Sequence, residues 1–331
     1  MNDRAAIGPW IRRFLLEHMI DDRNLSRNTQ ASYRDTLKLL LPFFSAEKHT
    51  AIDHLAVEDL SSGIVRQFLD HLENRRRCCG TTRNLRLAAI HSLAKFIGMQ
   101  SPEHLAWCAE VRSVPYKKTT QKVVSYLDKQ QMNALLKVPD RRTRQGWRDY
   151  ALLLFLYNTG ARAHEAARLC VADLTIGGTA AVRILGKGNK ERTCPLWPQT
   201  VAALKPLVVG LRSSDPVFRG RRNEPLTRFG IYTLVKVVAR RASTVVDSLQ
   251  EKKISPHTIR HTCAVHLLRG GVDINTIRAW LGHVSLDTTN IYAEVDIEMK
   301  AKALSQCEID AGPTSKRWRR EPDLMAFLKA L

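Results

Sequence analysis

The amino-acid sequence predicts a mainly α protein in two parts: an N-terminal helical bundle, then a larger α-rich domain with a small β-hairpin. Three observations carry that prediction. Apolar residues recur at spacings of three and four through most of the chain. A basic stretch broken by Pro115 interrupts that pattern near residue 111, and the alternating run AVRIL (181–185) precedes the turn GKGNK (186–190).

The segments PWIRRFLLEHMI (9–20), NTQASYRDTLKLLLPFF (28–44), SGIVRQFLDHLENRR (62–76) and TTRNLRLAAIHSLAKFIG (81–98) each place their apolar residues on one helical face. Short polar turns join them, so residues 1–110 read as a four-helix bundle. VRSVPYKKTTQKVVSYL is basic and poor in helix signals, and 111–124 reads as an interdomain linker. The second domain, 125–310, opens at Asp128, where DKQQ suits a capping box ahead of MNALL. Helices are expected over 144–158 and 162–170. The hairpin comes next, followed by helices over 198–211, 227–243, 256–269, 273–281 and 286–306. A C-terminal tail, 311–331, contains KRWRR and a final amphipathic stretch, PDLMAFLKAL.

Composition narrows the function. The 331 residues carry a net charge of +20 and are 44% hydrophobic, enough for packed cores and not for disorder. With no 18-residue apolar run and no apolar core at the N-terminus, the expectation is a cytoplasmic protein with no membrane partner. The seven cysteines make an odd count without zinc spacing, so they are expected to be reduced packing residues. Residues 1–110 hold 15 Lys and Arg against 13 Asp and Glu, so nearly all the excess lies beyond them. Basic clusters at 112–122, 141–148, 219–228 and 316–320 point to a polyanion, and several in one domain favour nucleic acid. Lys117, Lys118, Lys190, Arg192, Arg221, Arg222 and Arg228 are the candidate DNA contacts.

The chemistry gathers around SPHTIRHT (255–262). His257 and Arg260 share one helical face just after Pro256, which suits a helix start. His283 follows in LGHVSLDTTNIY, 26 residues after His257, and Tyr292 lies nine residues further on. Upstream, TGARAHEAARL puts Arg162 and Glu165 on one face, and Lys187 comes 25 residues after Arg162 in the hairpin turn.

In these blocks the sequence resembles the tyrosine recombinase (phage integrase) family, and most closely its Xer-like and transposon-borne bacterial members. The likeness is strongest over 159–169, 185–196 and 255–295, with a weaker block at 25–40. It implies that the bundle is a SAM-like core-binding domain and that 125–310 is the catalytic domain. It also implies the activity: a site-specific recombinase that cuts and rejoins DNA through a 3′-phosphotyrosine, for integration or excision of a mobile element. No cofactor or metal is expected, and the working form is a tetramer on paired sites in the bacterial nucleoid, with related recombinases or accessory proteins as further partners.

The resemblance also gives the residues roles. Arg162 and Arg260 become a guanidinium clamp on the scissile phosphate, where charged, forked donors offset the negative charge of the transition state. Tyr292 becomes the nucleophile, His257 a proton acceptor or phosphate ligand, and His283 a further donor. Lys187 becomes the general acid, with simple phosphate contact as its alternative. His261 and His266 lie outside the family set and read as structural or DNA-facing. Ala163 and His164 replace the more usual aliphatic residue and serine, while Glu165 is kept as a carboxylate that orients a guanidinium. Those departures, Ala293 and Glu294 after the tyrosine, and 39 residues beyond it favour a mobile-element enzyme over housekeeping Xer resolution. A non-catalytic DNA-binding regulator and a type IB topoisomerase are the remaining alternatives.

Overall fold

The computed structural model describes residues 6–119 and 125–282. The chain divides into two compact units, Met1–Lys122 and Val123–Leu331.

In the first unit, α1 (Ile7–Arg13) runs into a wider-wound π stretch, Phe14–Asp22. Then come α2 (Arg27–Lys48), α3 (Ser62–Asn74) and α4 (Gly80–Gln100). Serines start two of them: Ser26 accepts from the Thr29 amide and Ser61 from the Ile64 amide. Each cap satisfies a donor that the helix itself leaves orphaned. Phe14, Leu40, Phe44, Phe68, Leu87 and Leu93 are among the side chains of the shared core.

The unit adds a fifth helix to the four expected. It is α5 (Leu105–Arg112), which buries Trp107, Cys108 and Val111, and the Trp107 indole donates to the Leu60 carbonyl at 3.0 Å. Eight residues show too little periodicity to stand out in sequence. The stretch expected to be linker from residue 111 begins inside this unit. Val111 and Val114 are buried, Arg83 donates to the Pro115 carbonyl at 3.2 Å, and Asn84 exchanges two hydrogen bonds with the Lys117 backbone. Residues 120–124 lie outside the described residues.

The second unit opens with α6 (Lys129–Lys137), whose start carries the expected capping box between Asp128 and Gln131. Its central rod is α7 (Arg144–Thr159), where Ala151 to Leu156 are all buried. Such a run, apolar on every face, suits a helix with neighbours all round. Gly160 ends the rod at φ 61°, a left-handed cap that glycine adopts without steric cost. The segment expected to be helical over 162–170 makes a short turn, α8 (Ala163–Ala167), before Cys170 bridges to Pro216.

The sheet is antiparallel, in the order β1 (Leu174–Thr175), β2 (Ala181–Leu185), β3 (Glu191–Pro195). β1 is an addition to the expected hairpin, and two residues leave no alternation to read. In the hairpin Val182 pairs with Cys194 and Ile184 with Arg192, so Val182, Ile184 and Cys194 point into the core. The described chain closes with α9 (Pro198–Val208), α10 (Arg228–Ala242), α11 (Pro256–Arg269) and α12 (Ile274–Leu281). The helix expected at 286–306 and the tail at 311–331 lie outside the described residues.

Candidate active site

The site is assembled from the ends of helices. α7 stops at Gly160, and two residues later Arg162 takes the N-cap position of α8. Glu165, in the first turn of α8, reaches back: Oε2 accepts from the Arg162 amide at 2.9 Å and Oε1 from Arg162 Nη1 at 2.8 Å. The Arg162 side chain keeps 31% of its surface exposed, so part of its guanidinium faces outward while Glu165 holds the rest.

Arg260 is held differently. Ser255 caps α11 by accepting from the Thr258 amide, and Pro256 occupies the first turn, where its missing N–H costs nothing. The helix therefore starts where the sequence placed it, with His257 and Arg260 one turn apart. Arg260 is 1% exposed, and its Nη1 and Nη2 donate to the carbonyls of Gly160 and Leu281, each at 2.6 Å. The end of α7 and the end of α12 thus set the plane of this guanidinium. Gly160 is required on two counts: its φ is positive, and a Cβ there would lie 2.4 Å from Leu281 Cδ2.

Arg162, His164, Arg228, Phe229, His257 and Arg260 line a cleft of about 450 Å³. Three guanidiniums and two imidazoles, from segments up to nearly a hundred residues apart, thus share one opening. Such a set suits a phosphate, since guanidinium donors match its oxygens and stay charged at any working pH. Phe229 and Tyr232 are exposed beside it, at 68% and 47%. Among the described residues no three His, Cys, Asp or Glu side chains converge as a metal site would need.

The protonation states follow from these surroundings. Burial pushes the Glu165 carboxyl up, but the Arg192 hydrogen bond and charge, followed by the Arg162 contacts, outweigh it and hold the pKa at about 2. Glu165 is therefore an anion. Partial desolvation lowers His257, with Arg260 and Arg162 adding to the effect, although the residue as a whole is exposed. His261 stands edge-on to His257, ring centroids 4.2 Å apart, and burial, then His257 and Arg260, push it down to about 4. His266 is tied into packing: its Nδ1 meets the Tyr157 hydroxyl at 2.7 Å, and burial raises that phenol to about 12.

The backbone of Lys187 lies at the hairpin tip, where Gly188 and Asn189 both have positive φ. Its side chain is outside what is described, as are His283 and Tyr292. Gly282, the last described residue, caps α12 at φ 65° just before His283.

The candidate DNA contacts divide. Lys118, Lys190, Arg222 and Arg228 are exposed, and Arg228 lies over the Phe229 ring. Lys117 is paired with Glu73 at 2.9 Å, and Arg221 donates to Gln145. Arg192 turns inward: its side chain is 7% exposed and its Nη2 meets Glu165 Oε2 at 2.6 Å. Sequence reasoning counted it as one more basic residue near a turn. Its signal was strand alternation, because Arg192 sits opposite the inward-facing Ile184.

The comparisons with known proteins fit this geometry. The pattern described as the phage integrase family matches residues 125–299, and that of the phage integrase N-terminal SAM-like domain matches 11–100. A putative integrase/recombinase, y4rC of Sinorhizobium fredii, is 37% identical over 333 residues, covering 100% of both chains. Tyrosine recombinase XerC of Pelobacter propionicus is 33% identical, over 87% of this chain and 91% of its own. Among solved structures, the XerH site-specific recombinase bound to palindromic difH substrate, a post-cleavage complex, has a similar fold. It matches with a TM-score of 0.69 and 21% identity over 87% of this chain and 82% of that one.

Proposed function

The chain belongs to the phage integrase family, and from that premise we propose how its own residues carry out recombination. It is a tyrosine-type, site-specific DNA recombinase: an enzyme that transfers strands of double-stranded DNA. The observation that carries the proposal is the convergence of Arg162, His257 and Arg260 on one cleft.

In the proposed reaction the Tyr292 phenol oxygen attacks the scissile phosphorus. A 3′-phosphotyrosine bond forms and the bond from phosphorus to the 5′ oxygen breaks. His257, neutral at working pH by its lowered pKa, takes the phenol proton or binds a phosphate oxygen. Arg162 and Arg260 offset the charge that builds on the non-bridging oxygens, which is where pre-oriented donors act most strongly. His283 adds a donor, and Lys187 protonates the departing 5′ oxygen. The covalent bond conserves the energy of the one it replaces, so a 5′-hydroxyl from a second strand reverses the step without ATP.

Full-length likeness to a putative integrase/recombinase supports a mobile-element role in integration or excision. The XerC relative favours a second reading, resolution of chromosome or plasmid dimers. Either role calls for a tetramer on two paired sites, working on the bacterial nucleoid, and the XerH complex with a palindromic DNA is consistent with paired binding.

The test is a nicked DNA that loses its short end once cut, so that religation fails and the adduct accumulates. The wild-type protein should form a complex with DNA that survives SDS, with or without EDTA. Tyr292→Phe should bind the same DNA and form none. An adduct in Tyr292→Phe would move the nucleophile to another residue.

A further inference from the structure

We propose that Arg192 is the positioning residue of the Arg162 clamp: its guanidinium fixes the Glu165 carboxylate, which in turn aims Arg162 at the phosphate. The inference rests on the proposed function and adds to it a residue that takes no part in the chemistry itself.

The two oxygens of Glu165 meet three donors. Two belong to Arg162, its amide and its Nη1, at 2.9 and 2.8 Å. The third is Arg192 Nη2 at 2.6 Å, from a strand 27 residues further along the chain. Without it the arrangement would be local to α8, a helix of five residues that is too short to stabilise itself. The Glu165 side chain is 0% exposed, so a carboxylate there must be paired to stay charged. Arg192 therefore supplies both the pairing and the outside reference point.

The slot for Arg192 is built around it. A Cβ on Gly186 would lie 3.6 Å from Arg192 Nη1, and a Cβ on Gly282 would lie 3.2 Å from its Cδ and 3.3 Å from its Nη1. Gly186 opens the turn that carries Lys187, and Gly282 immediately precedes His283. The guanidinium thus sits where the hairpin, the Arg162 turn and the end of α12 meet. Pairing with Ile184 in the sheet fixes its height along β3.

The titratable and charged groups facing Glu165 are Arg162 and His164 beside it on α8, and Arg192 and Cys194 on β3. Removing Arg192 takes away the largest influence that holds the carboxyl down and leaves burial opposed only by the Arg162 contacts, so its pKa rises. An Arg192 variant should then begin to lose cleavage at a higher pH than the wild type, whose carboxylate is held at about 2 and whose own acid loss follows protonation of His257.

The experiment compares Arg192→Met and Arg192→Lys with wild type in single-turnover cleavage at saturating protein, with DNA affinity measured separately. Arg192→Met should cleave about 10²-fold more slowly, the cost of a misplaced reacting group, with affinity changed less than about threefold. It should show the acid shift just described. Arg192→Lys keeps a charge without the planar fork, and should recover part of the rate. Adding Glu165→Gln to Arg192→Met should make cleavage little worse, because both act through one contact. A DNA with sulfur as the bridging 5′ atom should not rescue Arg192→Met, since that substrate relieves only the general acid.

Wild-type rates in a folded Arg192→Met, or rescue by the sulfur substrate, would overturn the proposal. So would parallel loss of affinity and rate. If Arg192→Met does not fold, Arg192→Lys with the same pH profile and sulfur substrate decides the matter. If the wild-type protein forms no adduct at all, the recombinase reading itself has failed, and that outcome is distinct from any failure confined to the variants.

Discussion

In the proposed reaction Lys187 and the two arginines are all cations at a phosphate, and their leaving-group dependence separates them. Lys187→Ala should slow cleavage by ~10²- to 10⁴-fold, because an alkoxide needs a proton to leave. A 5′-thiolate, whose conjugate acid has a pKa near ~8.5, does not. The sulfur substrate should therefore rescue Lys187→Ala but not Arg162→Ala or Arg260→Ala, as followed by adduct formation. Equal defects on both substrates would make Lys187 a phosphate contact. His261 provides a pH test. Its folded pKa is depressed to about 4 from an ordinary value near ~6.5. Between those values the unfolded chain binds more protons, so stability falls as the pH drops through that window. Replacing His261 with Gln should flatten this dependence of the urea midpoint, leaving the share contributed by His257 and the other lowered histidines. An unchanged slope would deny His261 that role.

Among elements, α11 was the most legible in sequence. Ser255 and Pro256 mark its start chemically, and its apolar residues run to Arg269 before two glycines. Ser255→Ala removes the cap and should cost about 1 kcal/mol by denaturant unfolding. It should also slow cleavage, because His257 and Arg260 ride on the first turn of this helix. The hairpin was also clear, from its alternation and glycine-rich turn. What stayed hidden depended on partners remote in the chain. α5 owes its order to Leu60 and the core around Trp107, and the inward turn of Arg192 owes its stability to Glu165. The reach of the Arg260 guanidinium to Gly160 was hidden for the same reason, since no periodicity encodes a contact across 100 residues. The junction at Gly160 gives a prediction at this scale. Gly160→Ala forces a non-glycine residue to positive φ and pushes a methyl group into Leu281. It should cost on the order of 1–3 kcal/mol and impair cleavage through Arg260. A variant as stable and active as wild type would mean that α12 moves aside freely.

For the whole molecule the governing quantity is charge. Most of the +20 lies beyond residue 122, in the unit that carries the cleft. DNA affinity should fall steeply with salt, with a log–log slope near −0.9 for each phosphate neutralised. Charge-reversing Arg222 should make that slope shallower without altering cleavage of bound DNA. A nearly flat slope in the wild-type protein would mean that the basic clusters serve another purpose. The main-chain grip on Arg260 has a consequence for the protein during its own synthesis. One of the two carbonyls that orient this guanidinium belongs to Leu281, and the expected nucleophile lies later still. A chain stalled on the ribosome, or clipped before that point, carries the positive charge that draws it to DNA but lacks the frame that aims its clamp. In the proposed reaction the ability to cut DNA therefore comes late in synthesis, and a chain that ends before Leu281 should bind DNA without cleaving it.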